Sequence, residues 1–160
     1  MSIKNDIQAQ REQMIAKYGW MVQGVFSDGE NPGFCYTIGL HSRGMPELLV
    51  FALPQNVAHM LLSEIIGYML EYKEAHGDWP TGRTSLENWP LPFILQKLTC
   101  EDVKNHAYGA VERSSGAAEF MQIHLPDAKG LFNWEAGCDP KMLKASPVLR
   151  NDPSLMSYTN

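Results

Sequence analysis

The chain has 160 residues, a formal net charge of −5, 44% apolar residues and 19% charged residues. That is the balance of one globular domain with a core of its own, not of a disordered segment. The surplus of carboxylates, with no run of Lys and Arg, argues against non-specific nucleic-acid binding, which needs surplus cations to meet phosphate.

Residues 2–18 read as an amphipathic helix, with Ser2 as the expected cap. Ile3, Ile7, Met14, Ile15 and Tyr18 recur at helical spacing, interrupted by Gln10 and Arg11. Gly19 suits the left-handed position that closes a helix. Strands are expected at 20–26, 34–40 and 47–52. In the second, Phe34, Tyr36, Ile38 and Leu40 alternate with Cys35, Thr37 and Gly39. In the third, Leu48, Leu49, Val50 and Phe51 are apolar on both faces, the mark of a central strand. The short turns between them imply antiparallel pairing.

Pro54 opens the strongest predicted helix, 54–76. Its pairs Val57/Ala58, Leu61/Leu62, Ile65/Ile66 and Met69/Leu70 form a wide apolar stripe that must cover a sheet face. Residues 77–92 read as an ordered loop rich in Pro and Gly, with Trp79 and Trp89 covering a core edge or walling a ligand. A fourth strand is expected at 93–98. A helix to about residue 112 follows, opened by the capping pattern Thr99-Cys100-Glu101-Asp102. A fifth strand is expected at 120–125. Asp139-Pro140 starts a short helix, with Asp as cap and Pro at the first helical position. The tail from Pro147 is expected to run extended. The class implied is α+β in a single domain, 1–160. A mainly antiparallel sheet of about five strands packs against a long central helix, with an N-terminal helix and a shorter C-terminal helix.

Chemistry-bearing motifs are sparse. No Gly-Lys-Ser/Thr follows any glycine, so no phosphate loop is expected. The five histidines lack the i, i+4 spacing of a helical metal site, and Cys35, Cys100 and Cys138 form no Cys-x-x-Cys, so neither metal nor cofactor is expected. The cysteines read as small apolar fillers. Their odd number and wide spacing argue against a secreted disulfide framework. The polar first residues argue against a secretory leader, and no apolar run approaches the ~20 residues that span a bilayer. A cytoplasmic protein, in a cell or an infected host, is the expectation.

Two stretches resemble a known family. Gly19-Trp20, Tyr36-Thr37-Ile38-Gly39-Leu40 and Pro46-Glu47-Leu48 are similar to the N-terminal signature of DUF4262, a bacterial and phage domain of unknown function. His124-Leu125-Pro126-Asp127, Gly130 and Asn133-Trp134-Glu135 are similar to its C-terminal signature. This chain has Met45 where members often carry His, Leu125 in place of Trp, and Asn133 in place of Pro. The resemblance implies a fold and a bacterial or phage origin, and no activity.

Tyr36, Thr37, His41, Glu47, Asp127, Trp134 and Glu135 are therefore the candidate site, expected to meet at one cleft or contact surface. The alternative for the same residues is that they hold turns, with Glu47 and Glu135 bonded to backbone N–H groups. Two functions fit. One is a non-catalytic binding module for a small molecule or a protein partner, such as a phage or mobile-element factor that sequesters a host component. The other is a small metal-independent hydrolase or transferase using His41, Glu47, Asp127 and Glu135 as acid–base groups.

Overall fold

A computed structural model describes residues 3–158; the expected Ser2 cap lies outside them. The domain is a mixed α+β fold built on one six-stranded sheet. Helix α1 (Ile3–Tyr18) leads into strands β1 (Met21–Val25), β2 (Phe34–Ile38) and β3 (Glu47–Phe51). Helix α2 (Gln55–His76) follows, then β4 (Gly82–Thr84), β5 (Phe93–Leu98), α3 (Cys100–Val103) and α4 (Tyr108–Arg113). Strand β6 (Phe120–His124), α5 (Pro140–Ala145) and a 3-10 helix (Pro153–Tyr158) complete the chain.

The sheet order is β1-β2-β3-β6-β5-β4. Every neighbouring pair is antiparallel except β3 and β6. That parallel pair needs a long crossover, and all elements from α2 to α4 supply it. The strands at 34–40 and 47–52 are neighbours, joined in register from Phe34↔Phe51 to Tyr36↔Leu49.

Both faces of the sheet are covered. On one, Ala58, Leu61, Leu62, Ile65, Ile66 and Met69 of α2 pack on Cys35, Leu48, Val50, Leu95, Met121 and Ile123. Trp79 and Trp89 lie against the edge of this cluster. On the other, Ile15 of α1, Val103 of α3 and Ala110 of α4 cover Phe34, Tyr36, Ile38, Leu49, Phe51 and Phe120. Further along this face Phe132 and Leu155 cover Ile94. Helix α2 is thus one outer layer and not a centre.

Several local expectations are corrected. The sheet has six strands, because the loop predicted at 77–92 contributes β4, too short to show a period. The predicted helix at 99–112 breaks in two. Its capping box is present, with Thr99 and Asp102 exchanging bonds, but Ala107 leaves helical geometry at φ −87° and ψ 52°. The break lets Val103, Ala107 and Ala110 all reach the core. Leu40 does not share the face of Phe34, because the strand stops at Ile38 and the chain turns into a 3-10 helix, Leu40–Arg43. The tail ends in a 3-10 helix rather than an extended run, with Asp152 Oδ1 accepting from Ser154 N–H. Among the described residues no helix is long and apolar enough to cross a membrane.

Candidate functional site

The first motif closes on itself around a buried carboxylate. Glu47 is 2% exposed at the start of β3. Its Oε1 accepts from the Thr37 hydroxyl at 2.9 Å and the Leu40 N–H at 3.0 Å. Its Oε2 accepts from the N–H groups of Gly39 at 3.0 Å and His41 at 3.3 Å. The Thr37 oxygen in turn accepts from Leu48 N–H at 2.8 Å. Burial pushes the Glu47 carboxyl above its ordinary range, against the pull of the Thr37 hydroxyl and the three amides. Gly39 makes the turn possible. It sits at φ +115°, and a Cβ there would lie 3.0 Å from Ile15 Cγ2 and 3.1 Å from Trp20 Cα. His41 enters this knot through its backbone N–H, and the residue is half-buried.

The second motif is a separate knot. Asp127 Oδ1 accepts from Lys129 N–H at 2.9 Å and Leu131 N–H at 2.8 Å, and Oδ2 from Asp139 N–H at 2.9 Å. Those amides, Leu131 foremost, hold its carboxyl below the ordinary range. Glu135 Oε1 accepts from Phe132 N–H at 3.0 Å. Trp134 stacks on Phe132 at 5.4 Å and meets His124 edge-on at 5.3 Å. Its buried indole N–H has no partner among the described residues.

The register keeps the two knots apart. Glu47 lies beside Phe120, where β6 begins, and Asp127 follows His124, where β6 ends. Because β3 and β6 run parallel, the motifs sit at opposite ends of the sheet. The expected shared cleft is corrected on that ground. Tyr36 points elsewhere again, into the layer under α4, where its hydroxyl oxygen accepts from Gly109 N–H at 3.1 Å. Three of the four proposed acid–base groups, Glu47, Asp127 and Glu135, are thereby bonded to backbone amides that shape their own loops.

The cysteines offer no activated nucleophile. Cys35 and Cys138 are buried and Cys100 half-buried, all three as free thiols. Burial raises each of them above its ordinary range, opposite to the shift that generates thiolate. Among the described residues no group of three or more His, Cys, Asp or Glu side chains could hold a metal ion.

Two grooves merit comparison. One, of about 790 Å³, runs between Trp134 and the tail, with Leu143, Pro147, Val148 and Met156 in its walls. Two of its polar side chains are occupied, since the Asn133 amide donates to the Leu143 and Ser146 carbonyls and Asp152 caps the last helix, while the Trp134 indole N–H has no partner among the described residues. The other, of about 570 Å³, lies between α1, edge strand β1 and α4. Ile3, Ile7, Val25 and Tyr108 give it an apolar rim, exposing 78%, 52%, 37% and 66% of their surfaces.

At the floor of this second groove stand Arg11, Tyr36 and His106. Arg11 Nη2 and Tyr36 Oη lie 3.3 Å and 2.9 Å from the point where a Cβ on residue 109 would be, so Gly109 is what lets them converge. Among the described residues Arg11 makes no hydrogen bond or ion pair, and the Tyr36 hydroxyl accepts one bond while its proton finds no acceptor. Burial pushes the Tyr36 phenol up and the His106 imidazole down, keeping both neutral at pH 7. The Nδ1 of His106 is buried and has no partner among the described residues. Glu112 stands at the rim, taking a bond from the Gln8 amide at 3.3 Å. Sequence reasoning named Tyr36 but missed Arg11, Gly109 and His106. A signal for Arg11 was present: it sits four residues from both Ile7 and Ile15, a cation in a slot of the apolar stripe.

The fold defines an α+β domain on a six-stranded, mostly antiparallel sheet. The chain belongs to the family described as a domain of unknown function, DUF4262, which matches residues 14–139. No curated protein and no solved structure matches it. The matched span takes in both knots and the Tyr36–His106 floor of the groove; Arg11 lies before it.

Proposed function

We propose that this chain is a non-catalytic binding module whose small-molecule ligand seats in the groove between α1, β1 and α4. The observation that carries the reading is the pair of unspent donors, Arg11 and the Tyr36 hydroxyl, at the floor of an apolar-rimmed groove. Binding sites are concave, largely apolar and fitted with a few convergent polar groups, and this groove has all three properties. The carboxylates that acid–base chemistry would need are instead bonded to backbone amides, which supports binding over hydrolysis or group transfer. In the bacterial or phage setting that the family resemblance implies, such a module would act by sequestering a host component.

Amide chemical-shift mapping with mixtures of small organic fragments tests the site. The shifts are expected to cluster on Gln8, Gln23, His106 and Gly109. Shifts that cluster instead on Trp134, Val148 and Leu155 would move the site to the other groove and overturn the assignment.

A further inference from the structure

We infer that the α1–α4 groove is built for an amphiphilic carboxylate, a small organic acid with an apolar acyl or aryl body. The inference rests on the groove reading above and adds the chemical class of the ligand.

The floor presents donors in excess. The Arg11 guanidinium carries several N–H groups and a fixed positive charge, and none of them meets a partner among the described residues. The Tyr36 hydroxyl receives the Gly109 N–H, which leaves its own proton to give. Both donors lie beside the bare Cα of Gly109, no acceptor among the described residues takes a proton from either, and a ligand with two acceptor oxygens would satisfy them. A guanidinium matches a carboxylate in planar geometry, and the phenol adds a third bond from the side. Glu112 at the rim puts a negative charge nearby, which favours a singly charged head group over a doubly charged phosphate.

The walls suit the rest of such a molecule. Ile3 and Ile7 on α1 and Tyr108 on α4 are large, exposed and contiguous along the groove, with Val25 of the sheet edge beside them. Their exposure has no use in the core, because α1 buries only Ile15 there. A short acyl chain or an aromatic ring laid across them would remove this apolar surface from water. The groove volume of about 570 Å³ matches a molecule of modest size.

The test uses three probes on the 15N-labelled full chain: octanoate, octanol and acetate. Octanoate is expected to perturb the amides of Gln8, His106 and Gly109 and to bind at least about tenfold more tightly than either other probe, since it alone has both head and tail. Arg11→Gln should bring octanoate down to the affinity of octanol. Tyr36→Phe, which removes a single oxygen, should weaken it by about threefold or more. If octanol binds as well as octanoate, or Arg11→Gln leaves the octanoate affinity unchanged, the carboxylate inference falls while the groove remains a binding site. If none of the three probes perturbs the groove, both readings fall.

Discussion

Four donors converge on the Glu47 carboxylate, and one of them is a side chain that also ties down β3. A carboxylate accepts at both oxygens; an amide presents an NH2 at one of them. Glu47→Gln therefore places a donor against backbone donors in a buried site. The expected loss is about 1–3 kcal/mol, read by chemical denaturation. An unchanged midpoint would mean that the knot tolerates an unpaired donor and that Glu47 serves something else. His124 gives the second test at this scale. It is 2% exposed, bonded through Nε2 to Gln96 Oε1 at 2.8 Å, and burial takes its imidazole down to about 4. Above pH ~6.5 the ring is neutral in both folded and unfolded chains, and its contribution to stability is in place. As pH falls, the unfolded chain takes up a proton that the folded chain refuses, so stability drops by about 1.4 kcal/mol per unit until the folded ring titrates. Stability measured from pH 7 to 4.5 should show this slope in the wild type and a shallower one in His124→Gln. Parallel slopes would place the ring in contact with water. At this scale the sequence named the carboxylates of the two knots and left their role open. Glu47, Asp127 and Glu135 could be picked out as carboxylates in Gly/Pro turns. What sequence could not supply is which of these oxygens already has a backbone partner, since that depends on the path of the loop.

At the scale of elements, legibility followed the length of the periodic pattern. Helix α2 repeats its apolar pairs over four turns and was readable to within a residue at its start. Leu62 lies in its buried stripe at 0% exposure, so Leu62→Ala should cost about 2–5 kcal/mol in chemical denaturation. A loss below ~0.5 kcal/mol would mean that the helix does not press on the sheet there. Strand β4 spans three residues and shows no period at all. The break between α3 and α4 was equally hidden, because Val103, Ala107 and Ala110 fit a continuous helical pattern until the turn at Ala107 redirects the chain. Helix α1 misled in another way. Its stripe of Ile3, Ile7, Met14, Ile15 and Tyr18 reads as a core face, yet only Ile15 is buried. The structure adds polar ties to α1, Arg113 Nε to Glu12 at 2.9 Å and Gln8 to Glu112 at 3.3 Å, and leaves Ile3 and Ile7 along the groove and Met14 and Tyr18 exposed.

At the scale of the whole molecule, one parallel pairing decides where the motifs go. An all-antiparallel sheet would let strand ends alternate freely, and the two signatures could have met. The β3–β6 pair sends the end of the first motif and the start of the second to opposite ends of the sheet. Strand order across a long crossover is not written in local periodicity, so no reading of the separate motifs could have fixed their distance. The division of labour proposed here is that Glu47 holds a loop and that Arg11 would meet a ligand. Measuring octanoate affinity together with melting temperature in Arg11→Gln and Glu47→Gln tests it most directly. Arg11→Gln is predicted to keep its melting temperature and lose at least about tenfold in affinity, while Glu47→Gln melts earlier and binds normally when folded. The reverse pattern, a stable Glu47→Gln that no longer binds beside an Arg11→Gln that does, would contradict the account.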